Sequence, residues 1–269
     1  NLARLGHDVR LVSVVGDDLY GASLLEHTRR AGVDVQACQV LADQATSTYL
    51  SLHGPDGDMA LALNDTAILE HITPERLSAS AGRLRHAGAV LVDCNLPDAS
   101  LGWLCSQARD TPLFAESVSA FKCRRLLPWL ARIHLLKANR LEAQAFTGQA
   151  VQTDADVVAA ARWLHWRGVR QVVLSLGERG MYWSDYTGAS GWQAAVAVRV
   201  VNATGAGDAL MAGLMHRFLE GAPLPQAVAF AAACAALTLT APQANHMNLS
   251  VASVRQLLDA PALPAALAE

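Results

Sequence analysis

Apolar runs of strand length alternate with amphipathic segments of helix length along most of the chain. The strand-like runs include VRLVSVVG, AVLVDCN, IHLLKAN and RQVVLSLG. The segments between them repeat apolar residues at helical spacing, and several end at glycine, as in YGASLLEHTRRAG and RLEAQAFTG. This alternation is typical of βαβ units, so it predicts a mostly parallel sheet with helices on both faces.

The stretch from about residue 35 to residue 65 departs from this alternation because it is β-like throughout. Two strand-like runs flank the turn GPDGD, in which proline presets φ and glycine accepts a positive φ. The pattern predicts a hairpin without a covering helix. Two placements are open: an edge extension of the main sheet, and a separate lid over a site.

Composition narrows the classes of function. The chain has 269 residues, 52% of them hydrophobic and 17% charged, which is enough for one large α/β core. A net charge of −3 without a basic stripe argues against a nucleic-acid partner. The five cysteines form no C-x-x-C pair and the nine histidines show no metal-ligand spacing, so we expect buried thiols in a cytoplasmic protein. The most apolar stretch, AVAFAAACAALTLTA, is shorter than a membrane span of roughly 20 residues and predicts a buried helix.

The segment NATGAGD, at residues 202–208, follows the β-rich run WQAAVAVRVV and precedes an apolar segment with helical spacing. A helix N-terminus offers unpaired N–H groups and the positive end of the helix dipole, and both favour an anion. Gly205 and Gly207 let the backbone approach that anion closely, and Ala206 is nearly as small. A carboxylate there repels the anion unless it takes up a proton, so Asp208 is a candidate general base in phosphoryl transfer. The alternative is an ordinary acidic residue in a first helical turn.

Two further segments place polar residues after predicted strands. SLGERG, at residues 175–180, closes a β run where ligands bind in open α/β sheets, and the alternative is a plain hairpin turn. KANRLEAQ puts Asn139 and Glu142 on one face of a first helical turn. That spacing suits either a hydrated Mg²⁺ held by Glu142 or a capping box. No Walker-type loop, dinucleotide fingerprint or G-x-S-x-G elbow occurs. Three polar segments at strand ends therefore favour a nucleotide and metal site built on none of these motifs.

KANRLE, SLGERG and NATGAGD resemble the signature segments of the PfkB, or ribokinase-like, carbohydrate and nucleoside kinases. The resemblance runs from Asn1 to about Ser250. It implies a Rossmann-type three-layer αβα sandwich with a small β lid, forming a single kinase domain over residues 1–269 whose first strand and sugar-binding glycine pair lie upstream of Asn1. It also implies ATP-dependent phosphotransfer to an alcohol, and homodimers formed through the lids. TSTYLSLHGPDGDMALALND and VSAFKCRR are most similar to members that phosphorylate the 5′-hydroxyl of pseudouridine.

The resemblance implies a role for individual positions. Asp208 would be the catalytic base, and the N–H groups of Gly205, Ala206 and Gly207 would form the anion hole. The implied nucleotide-binding residues are Ser175, Gly177, Gly180 and Thr204. The implied metal-region residues are Asn139 and Glu142 for Mg²⁺ through water, and Asn202 and Thr204 for K⁺. The implied substrate-side residues are Asn95, Thr48, Asn64 and Asp65.

The chain also departs from the family pattern. Asn202 stands where the family usually has Asp beside a potassium site; it keeps a carbonyl ligand but loses the charge, so K⁺ dependence is open. AESVS, around Glu116 and Ser117, stands where close relatives tend to show Asp-Pro. Three functions remain: a pseudouridine kinase, a kinase for ribose or another nucleoside or sugar, and a non-catalytic relative that binds such a molecule. Asp208 favours a kinase, because a binding protein has least reason to keep it.

Overall fold

A computed structural model describes residues 1–53 and 59–259. In chain order the strands are β1 (Val9–Arg10), β2 (Val14–Gly16), β3 (Val33–Asp34), β4 (Gln39–Leu41), β5 (Thr48–His53), β6 (Met59–Asp65), β7 (Val90–Asp93), β8 (Leu113–Glu116), β9 (Ile133–Asn139), β10 (Gln171–Ser175), β11 (Met181–Asp185) and β12 (Ser190–Gln193).

Helices lie between β2 and β3, between β6 and β7, between β7 and β8 and between β9 and β10, and three more follow β12. They are α1 (Leu19–Arg30), α2 (Pro74–Ser78), α3 (Ala81–His86), α4 (Asp98–Gln107), α5 (Arg140–Thr147), α6 (Asp154–Trp166), α7 (Ala206–Leu219), α8 (Leu224–Leu239) and α9 (Val251–Asp259). Short 3₁₀ helices cover Ala67–His71, Lys122–Arg132 and Gly177–Arg179.

The main sheet has six strands in the order β12-β11-β10-β9-β8-β7. Strands β7 to β10 are parallel, whereas β11 and β12 are antiparallel at one edge. The prediction of a mostly parallel sheet is confirmed. All the carboxyl ends of the four parallel strands meet at one edge of the sheet, where ligands bind in open α/β folds.

Helices cover both faces of this sheet. Because side chains alternate along a strand, Leu135 and Leu136 of β9 enter different cores. Leu136 belongs to the core that α4, α5 and α6 cover, whereas Leu135 packs with Leu210 and Val228 of α7 and α8. The predicted three-layer αβα arrangement is therefore confirmed.

The alanine-rich segment lies in α8, which is a buried helix as predicted and packs against α7. A Cβ atom on Gly213 of α7 would lie 2.6 Å from the Cα atom of Ala231, so the two helices approach closely only with glycine there. Among the described residues, no helix combines the length and apolarity needed to cross a membrane.

The N-terminal part differs from the prediction of one strand over VRLVSVVG. The chain there forms β1 and β2, which pair with β3 and β4 in two separate two-stranded parallel sheets. The β-rich run before NATGAGD is also not a continuous strand, because β12 ends at Gln193. The chain then leaves the sheet edge for α8, where the N–H of Val201 donates to the carbonyl of Leu239 at 2.8 Å.

The hairpin of β5 and β6, called the lid below, forms its own antiparallel sheet and is not an edge extension of the main sheet. The predicted GPDGD turn lies outside the described residues. Asp18 anchors the base of this lid: its carboxylate accepts from the Thr46 N–H at 2.8 Å, the Thr46 hydroxyl at 2.7 Å and the Gly21 N–H at 2.7 Å. One carboxylate thus caps α1 and fixes the chain two residues before Thr48, where the lid begins.

Candidate active site

A row of charged residues lies at the carboxyl ends of three neighbouring strands. Asp93 is in register with Glu116, and Glu116 is in register with Lys137. Residues in register share a face of the sheet, and Phe114 and Leu135, two positions earlier, pack against α7. The charged row therefore lies on the α7 face of the sheet, at the end where α7 begins.

The glycine turn caps the start of α7 above this row. Gly205 is the N-cap residue, with a φ of 84° in the left-handed region. No side chain caps this helix, and the N–H groups of Gly205, Ala206 and Gly207 find no acceptor within the described parts of the chain. Unpaired N–H groups and the positive end of a helix dipole are suited to holding an anion.

Lys137 lies directly below the turn. A Cβ atom on Gly207 would be 2.9 Å from the Lys137 Nζ atom. This Nζ donates to both carboxylate oxygens of Glu116, at 2.6 and 2.8 Å, and the two side chains are only 7% and 15% exposed. Burial raises the pKa of Glu116 to about 7 against the lowering effect of Lys137, with the carboxylates of Glu142 and Asp208 adding to the rise.

Asp208, in the first turn of α7, has an exposed side chain whose carboxylate accepts no hydrogen bond from the described residues. Partial loss of hydration raises its pKa above the ordinary aspartate value; the Lys137 charge opposes this rise, and the Asp93 charge adds to it. An accessible carboxylate with a raised pKa, next to free N–H donors, has the properties of a general base.

Asn139 and Glu142 form a capping box at the start of α5, the structural alternative in our sequence analysis. The Glu142 N–H donates to Asn139 Oδ1 at 2.9 Å, and the Asn139 N–H donates to Glu142 Oε2 at 2.7 Å. Glu142 is 3% exposed, and its Oε1 atom accepts no hydrogen bond from any described residue. That oxygen fits a water of a hydrated Mg²⁺, because Mg²⁺ prefers oxygen ligands and retains much of its water. Within the described residues, no group of three or more His, Cys, Asp or Glu side chains could hold a metal directly.

The SLGERG segment is a hairpin connection between β10 and β11, again the structural alternative. Ser175 is in register with Asn139, so this loop lies beside the start of α5. Gly177 and Gly180 have φ angles of 63° and 83°, and a Cβ on Gly180 would lie 2.0 Å from the carbonyl oxygen of Gln193. The hairpin therefore requires glycine at position 180 for packing.

Asn202 connects the glycine turn to the loop after α8. Its Oδ1 atom accepts from the Thr204 N–H at 2.9 Å, and its Nδ2 atom donates to the Pro242 carbonyl at 2.9 Å. An aspartate could make only the first of these bonds. The Thr204 side chain is exposed.

Asn95 contacts the charged row at Asp93. Its Nδ2 atom donates to Asp93 Oδ2 at 2.9 Å, and its Oδ1 atom accepts from Lys122 Nζ at 2.7 Å. The lid-side candidates are exposed, and no hydrogen bond or ion pair within the described residues joins them to the row. These candidates are Thr48, Asn64 and Asp65.

The family model described as "pfkB family carbohydrate kinase" matches residues 1–250. The chain belongs to this family. PfkB kinases transfer a phosphoryl group to a hydroxyl group, so this pfkB chain is a phosphotransferase with an alcohol as acceptor.

Two relatives from Escherichia coli (strain K12) are similar over nearly the whole chain. The pseudouridine kinase is 41% identical over 96% of this chain and 83% of its own length. The sugar kinase YeiI is 44% identical over 96% of this chain and 71% of its own length. Among solved structures, a carbohydrate kinase from Agrobacterium tumefaciens has a TM-score of 0.80 at 30% identity, covering 96% of this chain and 82% of that one. The Arabidopsis thaliana ribokinase solved with ribose and ATP has a TM-score of 0.84 at 22% identity, covering 96% and 84%.

The sequence pattern of this pfkB kinase did not identify Lys137 and Lys122 as site residues. A signal existed for Lys137, because it is a charged residue within the otherwise apolar run IHLLKAN. Val118, a β-branched residue two positions after the end of β8, has a φ of 62°. Backbone strain of this kind clusters at functional sites, but the sequence does not reveal it.

Two cavities of the pfkB kinase lie away from this row. One, of about 410 Å³, is lined by α6 and the β11–β12 hairpin, including His165, Ser184 and Trp192. Ser184 pairs with Val172 near the start of β10, opposite the end that carries Ser175. This cavity therefore lies at the end of β10 opposite the site described above.

Proposed function

We propose that the protein is an ATP-dependent kinase that phosphorylates the 5′-hydroxyl of pseudouridine. The observation that carries this proposal is the accessible carboxylate of Asp208 beside the unpaired N–H groups of Gly205–Gly207. The similarity to the E. coli pseudouridine kinase supports the choice of acceptor.

In the proposed reaction, the γ-phosphoryl group of ATP lies against the N–H groups of the glycine turn. Asp208 accepts the proton of the 5′-hydroxyl as that oxygen attacks phosphorus, and ADP leaves with the bridging oxygen. Phosphoryl transfer depends chiefly on positioning and charge stabilisation, which the turn and the α7 dipole supply. Bound Mg²⁺ would neutralise phosphate charge, and Asn139 and Glu142 would hold it through water.

The same proposal places the nucleotide along the sheet edge beyond the turn. Register brings Ser175 next to Asn139, so residues of the SLGERG hairpin are suited to line the nucleotide. The proposed nucleotide-binding residues are Ser175, Gly177, Gly180 and Thr204. Asn202 and Thr204 are proposed for a K⁺ site, with the Asn202 carbonyl as a neutral ligand.

On the acceptor side, Asn95 is proposed to bind the substrate, since it lies between Asp93 and Lys122. Thr48, Asn64 and Asp65 are proposed to reach the substrate when the lid closes. Closure excludes water and so limits idle ATP hydrolysis.

We also propose that two lids meet in a homodimer. The cross-strand pairs Leu50–Leu63 and Leu52–Leu61 lie on one face of the lid, and these four leucines are 49–57% exposed. An apolar face of this kind on a two-stranded sheet favours a second lid as its cover.

A cytoplasmic location is part of the proposal. The five cysteines are free, and four of them are buried. Burial raises the pKa of Cys105 to about 11 and that of Cys234 to about 12, so these thiols remain protonated and unreactive.

A different sugar or nucleoside is the second candidate acceptor, because the sugar kinase YeiI is as similar as the pseudouridine kinase. ATP consumption by the purified protein, measured with pseudouridine, uridine and ribose separately, decides between them. We expect pseudouridine to give the highest kcat/KM. Turnover with ribose alone would replace the acceptor in the proposal, and turnover with none of the three would favour a non-catalytic binding protein.

A further inference from the structure

The buried pair of Glu116 and Lys137 leaves one hydrogen-bond donor unused. An ammonium group has three N–H bonds. Two of those on Lys137 go to the two oxygens of Glu116, and the third finds no acceptor among the described residues. The Nζ atom lies below Gly207, close enough that a Cβ there would be 2.9 Å away. The third N–H is therefore available at the glycine turn.

Stability alone does not account for this pair. Burying two charges costs hydration, and well-packed apolar residues often replace such a pair without loss of stability. Lys137 is also placed at the positive end of the α7 dipole, where a cation is disfavoured. The Lys137 ammonium and the α7 dipole concentrate positive charge at the glycine turn, and Glu116 holds the ammonium there. This arrangement is suited to an anion that binds at the turn.

We propose that Lys137 is a catalytic residue that donates its third N–H to the transferred phosphoryl group, and that Glu116 is the positioning residue that holds Lys137 below Gly207. This inference rests on the proposed kinase function. The bond between the acceptor oxygen and the γ-phosphorus forms while the bond from that phosphorus to the bridging oxygen breaks. The acceptor proton goes to Asp208, and Lys137 keeps all its protons throughout. Its hydrogen bond strengthens as charge develops on the transferred oxygens.

The decisive variant removes both charges together. Glu116→Gln with Lys137→Met leaves no buried unpaired charge, so a folded protein is expected. A purely structural pair would give normal activity in this double variant. Our proposal instead predicts that kcat falls by about 10²-fold, the usual effect of losing one donor to the transition state. The KM for ATP should change far less than kcat, because the bond strengthens only in the transition state.

A binding measurement gives a readout that does not need turnover. We expect the double variant to bind ADP as well as the wild type does, but to lose about 10²-fold in affinity for ADP with aluminium fluoride, which mimics the transferred group. Removing the exposed ion pair Arg10–Asp34, whose Nε–Oδ2 distance is 2.6 Å, provides the control, and Arg10→Met with Asp34→Asn should change neither affinity.

The single variant Glu116→Asp tests positioning and also serves if the double variant does not fold. The shorter side chain draws the Lys137 ammonium away from Gly207, so kcat should fall by about tenfold while KM for ATP is kept. Wild-type kcat in either variant would overturn the proposal, as would equal losses of affinity for ADP and for ADP with aluminium fluoride. If the wild type is active, either result would overturn the role of Lys137 and leave the kinase function intact. A wild type that is inactive and does not bind ADP would overturn both the role of Lys137 and the kinase function.

Discussion

Gly205 packs so closely against Ala244 that a Cβ atom at position 205 would lie 1.8 Å from the Ala244 carbonyl oxygen. The same glycine has a φ of 84°, which L-residues with a Cβ rarely adopt. The proposed anion site is therefore shaped by two requirements at one residue: a left-handed backbone, and contact with the loop that follows α8. The left-handed backbone disfavours every residue with a Cβ atom, and the contact with Ala244 excludes them.

The first prediction concerns this glycine. Gly205→Ala should displace the turn and reduce kcat/KM for ATP by about 10²-fold or more, since a misplacement of about 1 Å in a catalytic group has that effect. Gly148→Ala is the matched control, because Gly148 has a φ of 72° but nothing within 4 Å of its Cβ position. The control should lose about 1 kcal/mol of stability in urea unfolding with unchanged kcat. Equal activities in the two variants would contradict our account of the turn.

The second prediction concerns Asp208. Asp208→Asn keeps the size of the side chain but cannot take up the acceptor proton, so kcat should fall by about 10²-fold or more. ATP affinity, measured by calorimetry, should stay near the wild-type value or rise slightly, because a negative charge beside the anion site is removed. A loss of activity below tenfold would exclude Asp208 as the base.

The third prediction is the pH dependence of kcat/KM. A base must be deprotonated, so activity should rise with pH through the pKa of Asp208, which loss of hydration and the Asp93 charge raise above its ordinary value. Asp93→Asn removes a negative charge that favours the proton on Asp208, so the acid limb of the profile should move to lower pH. The Asp34→Asn variant, on the N-terminal strand β3, should leave the limb in place, and a shift to higher pH in Asp93→Asn would refute the assignment.

The fourth prediction concerns potassium. Asn202→Asp introduces a negative charge at the proposed cation site. It also removes the hydrogen bond that Asn202 Nδ2 donates to the Pro242 carbonyl. Activation by KCl over the matched choline salt should be stronger in this variant than in the wild type, because K⁺ offsets the new charge. Identical salt responses would place any K⁺ site elsewhere.

The fifth prediction concerns the lid face. Leu50→Lys puts a charge opposite Leu63 on the exposed apolar face, so a dimer formed through the lids should dissociate. Leu24→Lys on α1 alters a leucine that is similarly exposed, at 50%, and should leave the dimer intact. Light scattering after size-exclusion chromatography measures both masses. A wild type that is monomeric would rule out the lid dimer at once.

Much of the fold follows from local pattern. Strand-length apolar runs became β7, β9 and β10, and glycine-terminated amphipathic segments became α1 and α5. The extent of a strand was predicted wrongly where it depends on pairing with a partner strand, because the local pattern does not specify that partner. VRLVSVVG is split into β1 and β2, and the run before NATGAGD leaves the sheet after Gln193.

The sequence by itself indicated local features such as helix caps, glycine turns and helix N-termini, because these depend on neighbours a few positions away. Asn139 with Glu142, and Gly205 with Asp208, are of this kind. Only the tertiary structure decided that Glu116 and Lys137 face each other below the glycine turn. Their meeting depends on the register of two parallel strands, and that register is set by hydrogen bonds and core packing between segments far apart in the chain.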